Sequence, residues 1–304
     1  IIQKEFLAEY ELSSKIHKFK SGTNSFDWII PPGFSYEKAY IENESGVRVI
    51  DVENDCYHIW NYSVPTDEIL TLHELKKRIS TLPDVPDAIP LRDSYYKRTW
   101  GFSATQNQVD SLKSGNYHVV IDSKLDDQDH LCITDCVLPG DSEQEILINT
   151  YLCHPKGAND NLSGVAVGIE LIRLLSQIER RRYTYRLAIW PETIGSITYI
   201  ANFPEQVKKT VGAIHLTCVG DNGEINYKQS YYGDSIVDRA ITHALKYGQV
   251  KYNIRKYEPF GGDERQFNTR NVNVACGTFM KTPPNEFLYY HTNKDDLEFV
   301  QPDY

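Results

Sequence analysis

The chain has 304 residues, 40% of them hydrophobic, with a mean hydropathy of -0.47, so it can bury a substantial core over about two domains. Its 42 acidic against 32 basic residues give a net charge of -10, which argues against a nucleic-acid backbone or an anionic lipid surface as partner. No apolar run approaches the roughly 18–20 residues of a membrane span, and no charged-then-apolar leader is visible.

Ile2, Phe6, Leu7 and Tyr10 have helical spacing, and Lys15–Phe19 reads as a strand. Glycine and prolines then mark a loop over 21–35. From about 36 to 92 the segments Ala39–Ile41, Val47–Asp51 and Tyr57–Tyr62 are short and β-rich. Leu70–Ile79 reads as an amphipathic helix, and Pro83, Pro86 and Pro90 close the block. Beyond 93 the rhythm changes. Helix is predicted over Val109–Ser114, Asn161–Leu175, Ser196–Asn202 and Ser235–Tyr247. Strands are predicted over Tyr117–Asp122, Cys132–Val137, Glu145–Leu152, Tyr185–Trp190 and Val211–Val219. This alternation predicts an α/β three-layer sandwich around a mixed, mostly parallel sheet. The expected organisation is a core of 1–35 and 93–304, with 36–92 as an inserted β-rich domain.

The six cysteines are scattered without a CxxC pair. They read as free, buried thiols of a reducing compartment, which predicts a cytoplasmic protein.

In such sheets ligands bind beyond the carboxyl ends of the strands. Polar residues fall there repeatedly. His154 ends one apolar run, and Asp160 follows six residues later in the loop that opens a helix. A His and a carboxylate across such a loop can share a cation such as zinc. Equally, Asp160 could merely cap the helix. Glu192 directly follows Leu187-Ala188-Ile189-Trp190-Pro191, as a base, a metal ligand or a complement to the helix dipole. Asp221 follows the run ending at Val219 and could be a ligand or a turn residue. Asp263, Glu264 and Arg265 follow Gly261-Gly262, either in a cleft or in an exposed salt-bridged turn. Tyr290 and His291 precede Asp295 and Asp296, which read as helix-start acids.

The order His, Asp, Glu, Asp, His with Asn159-Asp160-Asn161 opening a helix resembles the M28-type zinc aminopeptidase family. The wording is closest to its DUF4910 subgroup with an inserted DUF2172 domain. The phrases that carry this are Phe26-Asp27-Trp28, Tyr62-Ser63-Val64-Pro65, Trp100-Gly101-Phe102 and Cys153-His154-Pro155. Pro191-Glu192-Thr193-Ile194-Gly195-Ser196, Gly262-Asp263-Glu264-Arg265-Gln266 and Tyr290-His291-Thr292 continue them.

The resemblance implies a zinc aminopeptidase-like hydrolase acting on a peptide or an aminoacylated small molecule. His154, Asp160 and His291 would be metal ligands, with Asp221 held more loosely. Glu192 would be the base or a further ligand. From their clustering after Gly261-Gly262, Asp263 and Glu264 could hold a substrate amine, or Arg265 could instead pair with a substrate carboxylate, and Tyr290 or Arg265 could hold an oxyanion. The chain departs from the parent pattern at three places. Lys156 replaces the Asp of His-x-Asp, Glu192 replaces an adjacent Glu pair, and Thr217 overlays the usual ligand Asp. These departures favour one zinc over two. They leave open a glutaminyl-cyclase-like or biosynthetic amidase reaction, or a binding module without catalysis. The inserted block could cover the cleft, contact a partner or mediate homo-oligomerisation.

Overall fold

A computed structural model describes residues 12–301; the helix expected from Ile2 to Tyr10 lies outside them. In chain order the strands are β1 (Ser14–Lys20), β2 (Gly33–Asn43), β3 (Arg48–Asp51), β4 (Thr66–Thr71), β5 (Asn116–Asp126), β6 (His130–Leu138) and β7 (Glu145–Tyr151). They continue with β8 (Thr184–Trp190), β9 (Thr210–Leu216), β10 (Ile225–Lys228), β11 (Tyr252–Arg255) and β12 (Cys276–Met280). The helices are α1 (Leu72–Lys76), α2 (Gln106–Ser111), α3 (Gly164–Ser176), α4 (Ile194–Asn202), α5 (Pro204–Lys209), α6 (Ile236–Tyr247) and α7 (Glu264–Phe267). Four two-residue strands complete the pairing.

Eight strands form one sheet in the order β1-β6-β8-β7-β9-β12-β10-β11. Its four middle strands, β8, β7, β9 and β12, run parallel. β7 is buried along its whole length, as a strand covered on both faces must be. On one face Val165, Ile169 and Ile172 of α3 pack on Ile148, Leu187, Ile189 and Leu216. On the other, Tyr199, Ile200, Val207 and Phe267 pack on Leu147, Ala188, Trp190 and Ala213. This is the expected mixed α/β sandwich. Strands β10, β11 and β12 were not predicted.

A second, antiparallel sheet has the order β3-β2-β5-β4 and its own core, including Ile41, Ile50, Leu75, Phe102, Val119 and Ile121. It runs from Gly33 to Asp126, beyond the 36–92 block. β2 pairs along β5 from Gly33↔Asp126 to Asn43↔Tyr117, so the strand at Tyr117–Asp122 belongs here rather than to the large sheet. The proline cluster marks a long excursion within this part of the chain. Two local expectations also change. Leu70–Ile79 divides at Thr71, which ends β4 and caps the short α1 through a capping box with Glu74. Tyr57–Tyr62 begins as a short helical turn at Cys56–His58, because the Asp55 side chain accepts the Tyr57 N–H at 2.9 Å.

All six cysteines are free thiols, but only Cys136, Cys218 and Cys276 are buried; Cys132 and Cys153 are exposed.

Candidate metal centre

Tyr151, the last residue of β7, His154 and Asp160 converge at the carboxyl end of the parallel strands, where the segment before the C-terminus delivers His291. One ligand atom each from His154, Asp160 and His291 lies within 4.8 Å of the others. Asp160 Oδ2 is 3.0 Å from His291 Nε2 and 3.6 Å from His154 Nε2. Two ligands about 2.0–2.1 Å from a tetrahedral zinc sit about 3.3–3.5 Å apart, so the spacing fits. His154 Nε2 and Asp160 Oδ2 are buried and accept or donate no well-formed hydrogen bond. Buried polar atoms of this kind are unfavourable unless something else satisfies them. A bound cation would do so.

The other Asp160 oxygen accepts from the Tyr151 hydroxyl, which also lies 2.8 Å from Thr217 Oγ1. Burial works against ionisation of Asp160, but His154 and His291 outweigh it and hold the carboxyl below its usual range. Burial likewise opposes charge on His154, and the Asp160 carboxylate overcomes it and raises the imidazole pKa. Thr217 thus supports the site through Tyr151 and supplies no carboxylate.

The run Asn159–Ser163 is a clamp between two strand ends. Asn159 Oδ1 accepts the Gly220 N–H at 2.7 Å, and Asn161 Oδ1 accepts the Cys218 N–H at 3.0 Å. Asn161 Nδ2 donates to Thr150 Oγ1 and the Leu216 carbonyl, and Ser163 Oγ accepts the Val219 N–H. Asp221 belongs to this clamp and is not brought to the metal-ligand cluster. Its carboxylate accepts Asn159 Nδ2 (3.1 Å), Thr282 Oγ1 (2.9 Å), the Thr282 N–H (3.2 Å) and the Gly223 N–H (2.6 Å). Four donors leave it no lone pair aimed at the cluster.

Asp295 was expected to be a helix-start acid. It is buried, and its two oxygens accept the N–H groups of Asn159 (2.7 Å) and Asp160 (2.8 Å). It therefore sets the backbone that aims Asp160. No helix follows Asp296 either; its carboxylate accepts the Glu298 and Phe299 N–H groups and closes a turn.

Glu192, just beyond β8, lines one cavity of about 410 Å³ with His154, His291 and Arg265. Burial and the nearby Asp263 and Asp160 carboxylates push its carboxyl well above the usual range, and Arg265 opposes this. Asp263 and Glu264 do not line this cavity. Asp263 is fully buried and accepts from Trp190 Nε1, the Thr193 N–H and Ser196 Oγ, each at 2.7 Å. It thereby holds the turn that carries Glu192, in which Thr193 has φ 64°. Glu264 is fully buried against Lys228 Nζ at 2.6 Å. Arg265 lines the same cavity, and Arg265 and Tyr290 both line an adjacent one that Glu192 shares. Arg265 Nη2 donates to Thr193 Oγ1 at 3.1 Å, and the Tyr290 ring stacks on His291 with centroids 3.9 Å apart.

The region around residue 55 also reaches this centre, which spacing alone did not signal. Tyr57 donates to the Pro155 carbonyl at 2.6 Å and lies 3.3 Å from His154 Nδ1. Asp55 Oδ2 accepts Lys156 Nζ at 2.8 Å and Asn293 Nδ2 at 3.1 Å, joining the His154 and His291 loops. Lys156 thus has a partner of its own, while Tyr57 and the Pro155 carbonyl (3.2 Å) are what stand near His154 Nδ1.

Beneath the cluster His215 stacks on Tyr151, with ring centroids 5.7 Å apart. Its Nδ1 pairs with Asn149 Oδ1 at 2.7 Å, and its Nε2 accepts the Asp263 N–H at 3.4 Å, which together require neutral imidazole. A Cβ on Gly262 would come within 2.2 Å of that Nε2, so only glycine lets the 261–263 turn approach. Burial, and more weakly Lys228, lower the His215 pKa to about 3. The unfolded chain takes up this proton near pH 6.5. Stability from neutral His215 is therefore complete above about 6.5 and lost as pH falls toward 3. Urea unfolding at pH 7 and 4.5 is expected to show the wild type losing about 2–3 kcal/mol more on acidification than His215→Gln. Equal losses would contradict a neutral buried His215.

The comparisons fit this geometry. A domain of unknown function, DUF4910, matches residues 5–304. A Clostridium acetobutylicum protein is 40% identical over 289 residues, which are 95% of this chain and 66% of the relative. Its name describes a candidate polysaccharide biosynthesis protein with an aminopeptidase-like domain, and the chain spans less than two thirds of its length. A crystal structure of a candidate peptidase from the same organism superposes with TM-score 0.92 at 38% identity, covering 98% of this chain and 71% of that one. BSAP, a zinc aminopeptidase from Bacillus subtilis, shares the fold with TM-score 0.71 at 15% identity, covering 99% and 83%. Among the described residues no helix is long and apolar enough to cross a membrane. With its sheet, its strand-end cluster and a match over nearly its whole length, the chain belongs to the DUF4910 family.

Proposed function

We propose that the chain is a zinc-dependent, aminopeptidase-like hydrolase cleaving an amide bond of a peptide or aminoacylated small molecule. The observation that carries this is the set of unsatisfied, buried ligand atoms of His154 and Asp160, completed by His291, in the cavity that Glu192 lines. The aminopeptidase-like, peptidase and zinc aminopeptidase names attached to the relative and the neighbouring folds support it.

Three protein ligands with one open position are the arrangement of catalytic rather than structural zinc. Bound there, zinc would polarise the amide carbonyl and lower the pKa of its water towards ~7. Glu192 takes a proton from the attacking water and passes it to the departing amine. Tyr290 and Arg265 offer donors toward the carbonyl oxygen. Asp295, Tyr57 and Asp263 hold the ligand and base loops in register.

Protein purified without chelator is expected to carry about one zinc per chain by elemental analysis. His291→Ala should leave the fold intact and lower zinc affinity at least about tenfold, since one of three ligands is gone. A wild-type chain that binds no zinc would overturn the hydrolase reading in favour of a binding module. Mass spectrometry of products from aminoacyl amides and N-terminal Gln peptides separates hydrolysis from cyclisation.

A further inference from the structure

Outside the metal-ligand cluster, the cleft has an aromatic wall that the chemistry above does not use. Trp28, Tyr62, Tyr95 and Tyr96 line the same cavity as His154 and Glu192. Trp28, Tyr95 and Tyr96 remain 38%, 60% and 54% exposed. Aromatic surface left open on this scale, beside a reactive cleft, is a mark of ligand contact.

The wall is preformed. Phe34 stacks on Tyr62 with centroids 5.6 Å apart, and Tyr62 leads on to Tyr95 at 5.9 Å. The Tyr96 hydroxyl donates to the Ile29 carbonyl, fastening the short strand that carries Trp28. Ser94 Oγ donates to the Tyr62 carbonyl at 3.0 Å and Asn61 N–H to the Arg92 carbonyl at 2.9 Å, so the two loops bearing the rings are tied together. Binding need not order them. Two polar side chains, Asn61 and Asp93, line the same cavity, and among the described residues neither side chain has a hydrogen-bond or ion-pair partner. Among the described residues, Leu91 and Ile194 are the only branched aliphatic ones in the lining.

An enclosed aliphatic pocket would suit an apolar peptide side chain. Open aromatic faces flanked by an unpaired carboxylate and carboxamide suit a ring with one C–H face and a rim of hydroxyls. The polarised C–H bonds rest on the negative π-face, Asp93 accepts hydrogen bonds from the hydroxyls, and Asn61 both accepts from and donates to them. We propose that this wall is a sugar subsite, holding the pyranose ring of an amino sugar whose N-acyl amide is presented to the His154–Asp160–His291 cluster. The proposal rests on the amide-hydrolase reading and names the substrate class of that site. The water oxygen joins the acyl carbon, the C–N bond breaks, and the nitrogen leaves with a proton, giving a carboxylate and the free amino sugar.

The test compares zinc-loaded wild-type chain on two matched amides, N-glycyl-glucosamine and N-glycyl-cyclohexylamine, which differ in the ring hydroxyls and oxygen. The expected result is a kcat/KM at least tenfold higher for the sugar. Tyr95→Ala and Asp93→Asn, both at exposed positions and each checked by its melting curve, should each reduce that preference severalfold. Saturation-transfer NMR with the methyl glycoside of N-acetylglucosamine reads binding without turnover, and should show ring-proton contacts that Tyr95→Ala removes. Equal kcat/KM on the two amides, or NMR contacts unchanged in Tyr95→Ala, would overturn the sugar subsite. Sugar contacts without hydrolysis of any amide would instead overturn the hydrolase reading and leave the subsite standing.

Discussion

Glu192→Gln is expected to lower kcat on an aminoacyl amide by about a thousandfold while zinc content stays at the wild-type level. The carboxamide keeps the size of the side chain but cannot take a proton from water. Glu192 is not among the three clustered ligands, so the variant should separate proton transfer from metal binding. The wild-type pH profile carries a second signature. Burial and the Asp263 and Asp160 carboxylates raise the Glu192 pKa. A base works only when ionised, so activity should fall as pH drops through this raised pKa rather than through the ordinary glutamate range. The Gln variant should lack that limb. Zinc loss in Glu192→Gln would make Glu192 a ligand instead, and undiminished turnover would remove it from the mechanism.

The second large effect is expected at a residue that touches neither metal nor substrate. Asp295→Asn keeps one carbonyl oxygen but turns an NH2 group toward an N–H donor of Asn159 or Asp160. The site is buried, so the lost acceptor leaves a donor unsatisfied at a cost of about 1–3 kcal/mol. The larger consequence should be positional. The Asp160 backbone loses its brace, and zinc affinity should drop about 10–100-fold, the scale for partners that orient ligands. Competition with a chromogenic chelator measures the affinity, and urea unfolding the stability. Asp296→Asn, an exposed neighbour, should change zinc affinity little. Equal effects of the two substitutions would show that Asp295 acts through overall charge rather than through its two hydrogen bonds.

Much of the framework is legible along the chain because burial on both faces demands apolar runs. β7 and β8 appear as such runs, and His154 and Glu192 stand out just beyond them. The short strands at Ile225–Lys228 and Tyr252–Arg255 carry polar and charged residues near the sheet edge, so no apolar run announces them. The β5 strand is legible as a strand but not as a member of the second sheet, because pairing with β2 joins residues more than 70 apart.

The carboxylates divide along the same line. Residue type and place after a strand determined which side chains were candidates: His154, Asp160, Glu192, Asp221, Asp263, Glu264 and His291 all sit where a ligand could, whereas Asp295 read only as a helix-start acid. Only the tertiary structure decided what each does, because a carboxylate's role depends on the donors that meet it. Asp160 has an oxygen with no hydrogen bond and two imidazoles beside it. Asp221, Asp263 and Asp295 meet N–H and O–H groups, and Glu264 meets an ammonium. Those donors come from segments up to 136 residues away, and local spacing carries no record of them.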